Sequence, residues 1–561
     1  MRIVLMQVLM LLLIHASKGN QLPQSATEPL SSFQITSLST LGKVWGFLKY
    51  YHPGVAKGQY NWDSVLIAKI PSFIAAGNSK AVNDIVSNWL SELKPVNNCP
   101  TCDNDTTNKV FWNLDTSWME TSGFSPGIIT QLKYIQYNRH QGNNYYFTYS
   151  PGPVIKILNE KPYNTDEYQF PSASYRLLTL FRYWNIVNYF SPYKYITTKK
   201  WPAVLNEFIP LFYNAADTLQ YQVCILKMIG SLNDGHSAIT WSPTLANFFG
   251  KYNHTAFHCS IIEGKAVVTS IFNEALCKEQ GIALNDIIIS IDGETIEERI
   301  KKYSPYIHNA SNEAAAGESL SFEYLFAGND TLCRIVKLTP TQTQQLIIKR
   351  YEKYPPMTEP PIKAWKILDG NIGYVNMGDL WPKDAQTMMD SLANTKGIIF
   401  DVRNYPRNAW IITAVRLSCN KFQMCRMTCA DNNYPGVFKY LPSHSWGSDN
   451  TRCYKGKVVI LVNAYSKSHA EYSIMGLQAA TKTITIGSTT AGADGNITEW
   501  IALPGGFRTR FSGLGIYYPD GTVAQRKGVK IDIVCKPTIK GIMAGKDELV
   551  ETAVKTINNG Q

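Results

Sequence analysis

The chain has 561 residues, of which 45% are hydrophobic and 17% are charged, and this composition is typical of a globular protein. That length is too great for one hydrophobic core, so roughly two to four domains are expected. The formal net charge of +11 comes from scattered lysines and arginines rather than from a basic run, which argues against nucleic acid as a partner.

The first residues, MRIVLMQVLMLLLIHASKGN, have the layout of a secretory signal peptide. An early arginine precedes an apolar stretch from Ile3 to Ile14 that is too short to span a bilayer, and small and polar residues follow. A buried first helix is the alternative. With residues 1–19 as signal peptide, the protein is expected to be exported, to the periplasm or the exterior. No other segment resembles a transmembrane helix.

Eleven cysteines fit an exported protein, because disulfides persist outside the cytosol. Cys99 and Cys102 form CPTC in a polar loop. Four more cysteines cluster later in the chain: Cys419, Cys425, Cys429 and Cys453. A redox dithiol or a zinc site is the functional alternative, but local disulfides are favoured because no histidines stand at zinc-finger spacing. The odd number of cysteines leaves at least one thiol free.

An internal match organises residues 20–250. VWGFLKYYHP, from Val44, returns as YWNIVNYFSP, from Tyr183, and the alignment continues without a gap. Apolar residues at helical spacing make each copy a small helical unit. Aromatic side chains are expected to pack between the helices, and a ligand-binding stripe is the alternative. Between the copies, YIQYNRHQGNNYYFTYS predicts a small β insert of two strands joined by a turn.

After SLNDGHSAITW, the pattern changes to short strands with one helix among them. GIALNDIIISIDG resembles the part of PDZ domains in which a glycine turn and an aspartate lead into a core strand, and SFEYLFAG is interpreted as a further strand. Residues 254–340 are therefore expected to form a PDZ-like domain. Such domains capture the C-terminal carboxylate of a peptide by adding the peptide as a strand at a sheet edge.

Residues 360–561 are expected to form an α/β core. The short apolar runs NIGYVNM, GIIFDVRN, KVVILVN and TITIGS are separated by the helical stretches PKDAQTMMDSLANT and AEYSIMGLQAAT. Strands that alternate with helices predict a largely parallel sheet. Active sites in such folds gather at the carboxyl ends of the strands, and NAYSKSH follows one of these strands directly.

Ser468 lies where that strand passes into a helix, and two interpretations are open. Ser468 and Glu471 match the capping box, which satisfies backbone N–H groups at a helix start. The same position suits a nucleophile, because free N–H donors there stabilise an oxyanion. A nucleophilic serine needs a base, and its neighbours Lys467 and His469 point about 100° away from it on a helix. His236, in a sharp NDGHS turn, is either an ordinary turn histidine or that base.

Five segments together resemble the C-terminal-processing (tail-specific) serine peptidases, and they occur in the order seen in that family. They are DGHS, GIIFDVRNYP, VVILVNAYSKSHAEY, TITIGSTTAGADGN and IYYPDGTVAQRKGVKIDIVCKP, within residues 231–537. The resemblance implies a crotonase- or ClpP-like α/β core that carries a PDZ domain. It also implies a nucleophile at Ser468, three residues before the glutamate of Ser-x-x-Glu.

The resemblance distinguishes two branches by their base. One branch uses a lysine in T-x-G-K-G, but TTAGADG has Ala493 at that position. The tricorn-like branch uses a histidine before the PDZ domain, which corresponds to His236, and Ser237 is expected to orient a partner. Gln525 stands where tricorn-like members have a glutamate, so it can position a group only by hydrogen bonding. Activity is then expected to rise with pH near the usual histidine pKa of about 6.5.

The family sequence D-x-R-x-N-P-G-G appears here as DVRNYPRN, with Arg407 and Asn408 in place of the glycines. The resemblance implies that the backbone N–H groups of Asn408 and His469 form the oxyanion hole. A positive φ at a former glycine position would strain either side chain, and asparagine tolerates it best.

The sequence therefore predicts an exported serine endopeptidase that binds polypeptides by their C-termini and cleaves them through an acyl-enzyme. No metal, nucleotide or other cofactor is implied. The alternative is a catalytically inactive, PDZ-containing peptide-binding protein of the same fold, whose loop has lost its glycines.

Overall fold

The computed structural model describes residues 29–102, 106–163, 170–339, 341–357 and 363–559. The predicted signal peptide lies outside these residues. Among the helices of the described ranges, none is long and apolar enough to cross a bilayer.

The N-terminal region is mostly helical. Its helices are α1 (Ser32–Tyr51), α2 (Pro53–Ala56), α3 (Trp62–Ala75), α4 (Ser79–Ser91), α5 (Trp118–Thr121), α6 (Pro126–Tyr137), α7 (Ala173–Phe190), α8 (Trp201–Asn214), α9 (Thr218–Gly230) and α10 (Pro243–Phe249). Its short strands are β1 (Lys109–Val110), β2 (Phe147–Ser150), β3 (Val154–Ile157) and β4 (Ala238–Ile239).

Two tryptophan pairs make the same reciprocal contact in this region. The indole N–H of Trp45 donates to the backbone oxygen of Trp62 at 3.0 Å, and the indole of Trp62 donates back to Trp45 at 3.0 Å. Trp184 and Trp201 exchange the same two bonds at 2.9 Å. All four rings belong to one buried cluster, so these aromatic residues are core rather than a ligand-binding stripe.

The predicted β insert is only half correct. Residues 134–137, at the start of the predicted hairpin, continue α6, because Leu132 and Ile135 are buried at helical spacing. FTYS does form the strand β2, but its partner is β3, which follows it in the chain. The aromatic residues around Tyr134 mimicked a strand pattern.

The middle region is an antiparallel sheet with three helices. Its strands are β5 (Phe257–Ile262), β6 (Lys265–Ile271), β7 (Ile287–Ile291), β8 (Glu294–Thr295), β9 (Leu332–Leu338) and β10 (Thr343–Lys349). Its helices are α11 (Glu274–Glu279), α12 (Ile296–Tyr303) and α13 (Glu313–Glu323). The strand order is β10-β9-β7-β6-β5, with β8 beside β7 and α13 packed on the edge strand β5. The predicted strand SFEYLFAG is wrong, because its first residues complete α13.

The C-terminal region contains the α/β core. Its strands are β11 (Trp365–Leu368), β12 (Ile372–Asn376), β13 (Gly397–Asp401), β14 (Arg426–Ala430), β15 (Phe438–Tyr440), β16 (Lys457–Val462), β17 (Thr483–Gly487), β18 (Ile501–Leu503), β19 (Phe507–Arg510), β20 (Gly515–Tyr517) and β21 (Ile533–Val534). Its helices are α14 (Ala385–Ser391), α15 (Trp410–Leu417), α16 (His469–Ala480), α17 (Ile539–Met543) and α18 (Glu548–Asn558).

The main sheet of this core has the order β11-β12-β13-β16-β17-β21. Only the β11–β12 pair is antiparallel, which confirms the predicted largely parallel sheet. Alternate residues of β16 enter different buried clusters, Ile460 on one face and Leu461 on the other. Both faces are therefore covered, as parallel sheets require.

A smaller sheet, β18-β19-β4, links the helical region to the core. In its register Ile239 pairs with Thr509 and Ala238 pairs with Arg510. His236 precedes β4 by two residues, so this pairing holds the His236 turn against the core.

The described residues contain two disulfides, Cys99–Cys102 and Cys419–Cys453. The predicted local disulfides are confirmed for these two pairs. Cys425 and Cys429, which belong to the same sequence cluster, are buried free thiols.

Candidate active site

Ser468 lies between β16 and α16 in a rare backbone conformation, with φ 57° and ψ −115°. A residue other than glycine adopts such a conformation at a cost on the order of 1–3 kcal/mol. The Ser468 side chain makes no capping hydrogen bond to the helix. The capping-box interpretation is therefore wrong for this hydroxyl, which plays no part in starting α16.

Buried hydrogen bonds hold this strained turn in place. The hydroxyl of Ser466 donates to the backbone oxygen of Val402 at 2.6 Å, and Ser466 is completely buried. The backbone N–H of Ala491 donates to the backbone oxygen of Ser466 at 3.0 Å. The turn is thus fastened to β13 on one side and to the segment after β17 on the other.

Glu471 anchors the same turn from inside the protein. Its carboxylate accepts hydrogen bonds from the Thr490 hydroxyl at 2.5 Å and from the backbone N–H groups of Gly492 and Ala493 at 2.8 Å each. Complete burial raises the pKa of Glu471, and these hydrogen bonds act in the opposite direction. Glu471 therefore ties the first turn of α16 to residues 490–493, which follow β17.

His236 belongs to a hydrogen-bonded cluster that joins the turn after α9 to the residue after β19. Its Nδ1 lies 2.9 Å from the hydroxyl of Ser512. That hydroxyl donates to Oδ1 of Asp234 at 2.9 Å, and the Ser512 N–H donates to Oδ2 of Asp234 at 2.6 Å. The His236 N–H also donates to Oδ1 of Asp234, at 2.9 Å.

Gln525 belongs to this cluster but contacts Asp234. Its Nε2 donates to Oδ1 of Asp234 at 3.2 Å, and its Oε1 accepts from the backbone N–H of Asp494 at 2.9 Å. The predicted positioning by hydrogen bonding is thus directed at the carboxylate beside His236.

The other predicted neighbour, Ser237, has a different setting. Its hydroxyl is buried and has no hydrogen-bond partner among the described residues. Sequence analysis missed both Asp234 and Ser512. Asp234 belongs to the quoted NDGHS turn and could have been noticed there, whereas Ser512 carries no recognisable motif.

The Ser468 turn and the His236 turn meet at Gly235. A Cβ atom on Gly235 would lie 2.6 Å from the Cβ of Ala493 and 3.7 Å from Cε of Lys467, the residue before Ser468. Within the described part of the chain, no hydrogen bond joins the Ser468 hydroxyl to His236.

Burial dominates the electrostatics of this cluster. It lowers the pKa of His236 to about 4, while the charge of Asp234 opposes this shift and the charges of Lys467 and Arg510 add to it. Burial also lowers the pKa of Lys467. This pKa lies below the value near 6.5 that the sequence analysis expects, because burial disfavours the charged imidazolium.

The loop after β13 supplies the second predicted oxyanion group. Asn408 has φ 65°, whereas Arg407 does not have a positive φ. Of the two residues in place of the family glycines, asparagine tolerates a positive φ better than arginine, and it is Asn408 that takes the left-handed conformation. The ring of Tyr405 lies 6.1 Å from that of His469, which brings this loop to the first turn of α16. As the first residue of α16, His469 has a backbone N–H without a partner inside the helix.

Residues 371–535 match the family model for peptidase family S41. The chain contains a peptidase S41 domain. Members of this family are serine peptidases, so the predicted family is confirmed for these residues and the predicted enzyme class with it, while the Ser/His branch stays a prediction. The S41 domain includes Ser468, Asn408 and Gln525, whereas His236 lies outside the matched residues.

Several solved structures are also similar to this chain. Mature CPAF complexed with lactacystin is 12% identical over 69% of this chain and 98% of its own, with a TM-score of 0.51, which shows a shared fold. The photosystem II D1 C-terminal processing protease is 16% identical over 67% of this chain and 98% of its own, with a TM-score of 0.37. The tricorn protease is 16% identical over 76% of this chain and 43% of its own, with a TM-score of 0.32. No curated protein matches the chain in sequence.

Proposed function

We propose that the protein is an exported serine endopeptidase in which Ser468 is the nucleophile and His236 is the general base. The observation that carries this proposal is the backbone of Ser468, which is strained at a strand-to-helix turn while its hydroxyl is unused by the helix. Such a turn presents a nucleophilic serine at the top of the sheet in α/β hydrolases. Strained backbone conformations of this kind cluster at functional sites.

The reaction follows from these positions. The Ser468 hydroxyl attacks the peptide carbonyl and gives its proton to Nε2 of His236, which later passes the proton to the leaving amine. Water then hydrolyses the acyl-enzyme with the same histidine as base. Hydrogen bonds between catalytic groups often tighten only when substrate is bound, so Ser468 and His236 need not be bonded in the free protein.

The backbone N–H groups of His469 and Asn408 are the proposed oxyanion hole. The first lies at the start of α16, and the second belongs to a residue that keeps the left-handed backbone a glycine would give. The loop thus keeps the backbone shape that the family glycines would give, although the glycines themselves are replaced. This favours catalysis over the alternative of an inactive peptide-binding protein.

The middle region is the proposed PDZ-like substrate-binding module. Its strand β5 is at a sheet edge with α13 beside it, which is the arrangement that captures the C-terminus of a polypeptide by strand addition. Phe322 of α13 stacks on Tyr465 at 5.7 Å, three residues before Ser468, so this groove adjoins the nucleophile turn. The helical N-terminal region, with its two matching tryptophan pairs, is proposed to shape access. Two disulfides support the proposed export.

The test is labelling by a fluorophosphonate, followed by mapping of the modified residue and turnover of a peptide substrate. Ser468 should be modified, and Ser468→Ala and His236→Ala should each lower kcat by roughly 10⁴-fold, with the double variant little worse. Ser488→Ala is the matched control, because Ser488 is half-buried and follows the neighbouring strand β17. Folded wild-type protein that is neither labelled at Ser468 nor active would instead be the peptide-binding alternative.

A further inference from the structure

Four donors converge on the carboxylate of Asp234, which is 3% exposed. They are the Ser512 N–H, the Ser512 hydroxyl, the His236 N–H and the Gln525 side-chain amide. An ionised carboxylate only accepts hydrogen bonds, and every partner of Asp234 in this cluster can donate. The buried site is thus built to hold this group as an anion.

The hydroxyl of Ser512 connects this anion to the histidine. A serine hydroxyl has a single hydrogen, and here it has two partners, Oδ1 of Asp234 and Nδ1 of His236, each at 2.9 Å. Because the carboxylate cannot donate, Ser512 gives its hydrogen to Asp234. Its oxygen must then accept from His236, so neutral His236 carries its proton on Nδ1 and has a free electron pair on Nε2.

We propose that Ser512 and Asp234 are positioning residues that hold His236 in the Nδ1–H tautomer. We call the chain of hydrogen bonds from Asp234 through Ser512 to His236 the relay. Its negative charge belongs to Asp234, two residues before His236, and Gln525 supplies only a neutral amide. The inference deepens the proposed function and rests on it, since Nε2 must be the atom that receives the Ser468 proton. After Nε2 has taken that proton, the Nδ1–H still donates to the hydroxyl oxygen of Ser512, which Asp234 polarises. This contact stabilises the imidazolium.

Gln525 fits this arrangement better than a glutamate would. Its Oε1 accepts from the Asp494 N–H, which turns its amide nitrogen toward Asp234. A glutamate at 525 would place a second anion beside the first. Ser512 and Gln525 are 0% and 1% exposed, and hydrogen bonds to a charged group are strongest where water is excluded.

The tautomer can be measured without turnover. We would record ¹⁵N spectra of the full chain with labelled histidines in a Ser468→Ala background and assign His236 by its loss in His236→Gln. The expected neutral form has a protonated Nδ1 and an unprotonated Nε2. Adding Ser512→Ala should shift it toward Nε2–H, the tautomer that free imidazole side chains prefer. Nε2–H in the Ser468→Ala parent, or no change with Ser512→Ala, would overturn the proposal.

Kinetics provide a second test. Asp234→Asn should lower kcat by about 10²- to 10⁴-fold, and Ser512→Ala by at least about 10-fold, with KM nearly unchanged because both side chains are buried away from the surface that a substrate reaches. Thr509→Val is the matched control: Thr509 is equally buried on the adjacent β19, and its hydroxyl has no partner in the described part of the chain. Equal kcat for Ser512→Ala and Thr509→Val would contradict the relay.

These results separate the two proposals. If the wild type is inactive and unlabelled at Ser468, the proposed function fails, and the ¹⁵N spectra still decide the tautomer. If the wild type is active and Ser512→Ala is equally active, the relay alone fails. Thermal melts identify variants that do not fold, and the spectra of the folded parent remain decisive if Asp234→Asn is among them.

Discussion

Gly235 and Ala493 touch at the point where the turn that carries His236 meets the segment after β17. A Cβ on Gly235 would lie 2.6 Å from the Cβ of Ala493, closer than such atoms approach in proteins. The family resemblance aligns Ala493 with the lysine that serves as base in the other, lysine-dependent branch. The backbone of Gly235 therefore packs directly against residue 493, and the fold leaves no room for a side chain at residue 235.

Gly235→Ala is expected to displace the His236 turn. The added methyl group overlaps Ala493, and overpacking of this kind typically lowers the free energy of unfolding by about 1–3 kcal/mol. We expect kcat to fall by at least about 10-fold, because small displacements of catalytic groups have effects of that size or larger. The control is Gly317→Ala in α13, where a Cβ meets nothing within 4 Å. Thermal melts and kcat are measured for both variants. A fully active Gly235→Ala would show that the contact with Ala493 does not position the His236 turn.

Activity is expected to persist in acidic solution. His236 must be neutral to accept a proton, and burial lowers its pKa to about 4. Since the base is already neutral above that value, kcat/KM of the free protein should be level from about pH 5.5 upward and fall as the pH approaches 4. Lys467→Met removes a charge that lowers this pKa, so its profile should move to higher pH. A wild-type midpoint near 6.5 would show that burial does not control the base.

Gln525→Glu is expected to impair the protein even though it restores the residue of the tricorn-like branch. The new carboxylate would lie about 3.2 Å from that of Asp234, and two such groups cannot both ionise without a large penalty. We expect kcat at pH 7 to fall about 10-fold or more and to recover partly in acid, as the pair takes up a shared proton. Gln525→Leu is the control that removes the amide without adding charge. Higher activity for Gln525→Glu would place the acid of the relay at residue 525.

Asn408 is expected to be replaceable by glycine and by little else. Its φ of 65° lies in the left-handed region, where a residue with a Cβ pays roughly 1–2 kcal/mol. Asn408→Gly should keep kcat, and Asn408→Val should lower both kcat and the melting temperature. Because Asn408 is exposed, the comparison reports on the backbone rather than on lost packing. Similar values for the two variants would mean that the shape of this loop is irrelevant to activity.

The sequence by itself determined the features that depend on neighbouring residues. Short apolar runs between turns predict the parallel strands, including β13 and β16, because burial on both faces requires them. The pattern around Ser468 locates a strand-to-helix turn, and the family resemblance, through the lost glycines, marks residues 407–408 as the place where a positive φ is expected. Each of these is a property of a few consecutive residues, and a short pattern records it.

Only the tertiary structure decided how distant segments act on one another. Residues 134–137 and 321–323 are helical because of what they pack against, although their aromatic residues also suit strands. The pKa of His236 depends on how completely the folded chain excludes water from it. Ser512 and Asp234 are 278 residues apart, and the register of β4 with β19 brings them together. Hydrogen-bond partners and desolvation are set by neighbours in space, which local patterns in a sequence do not record.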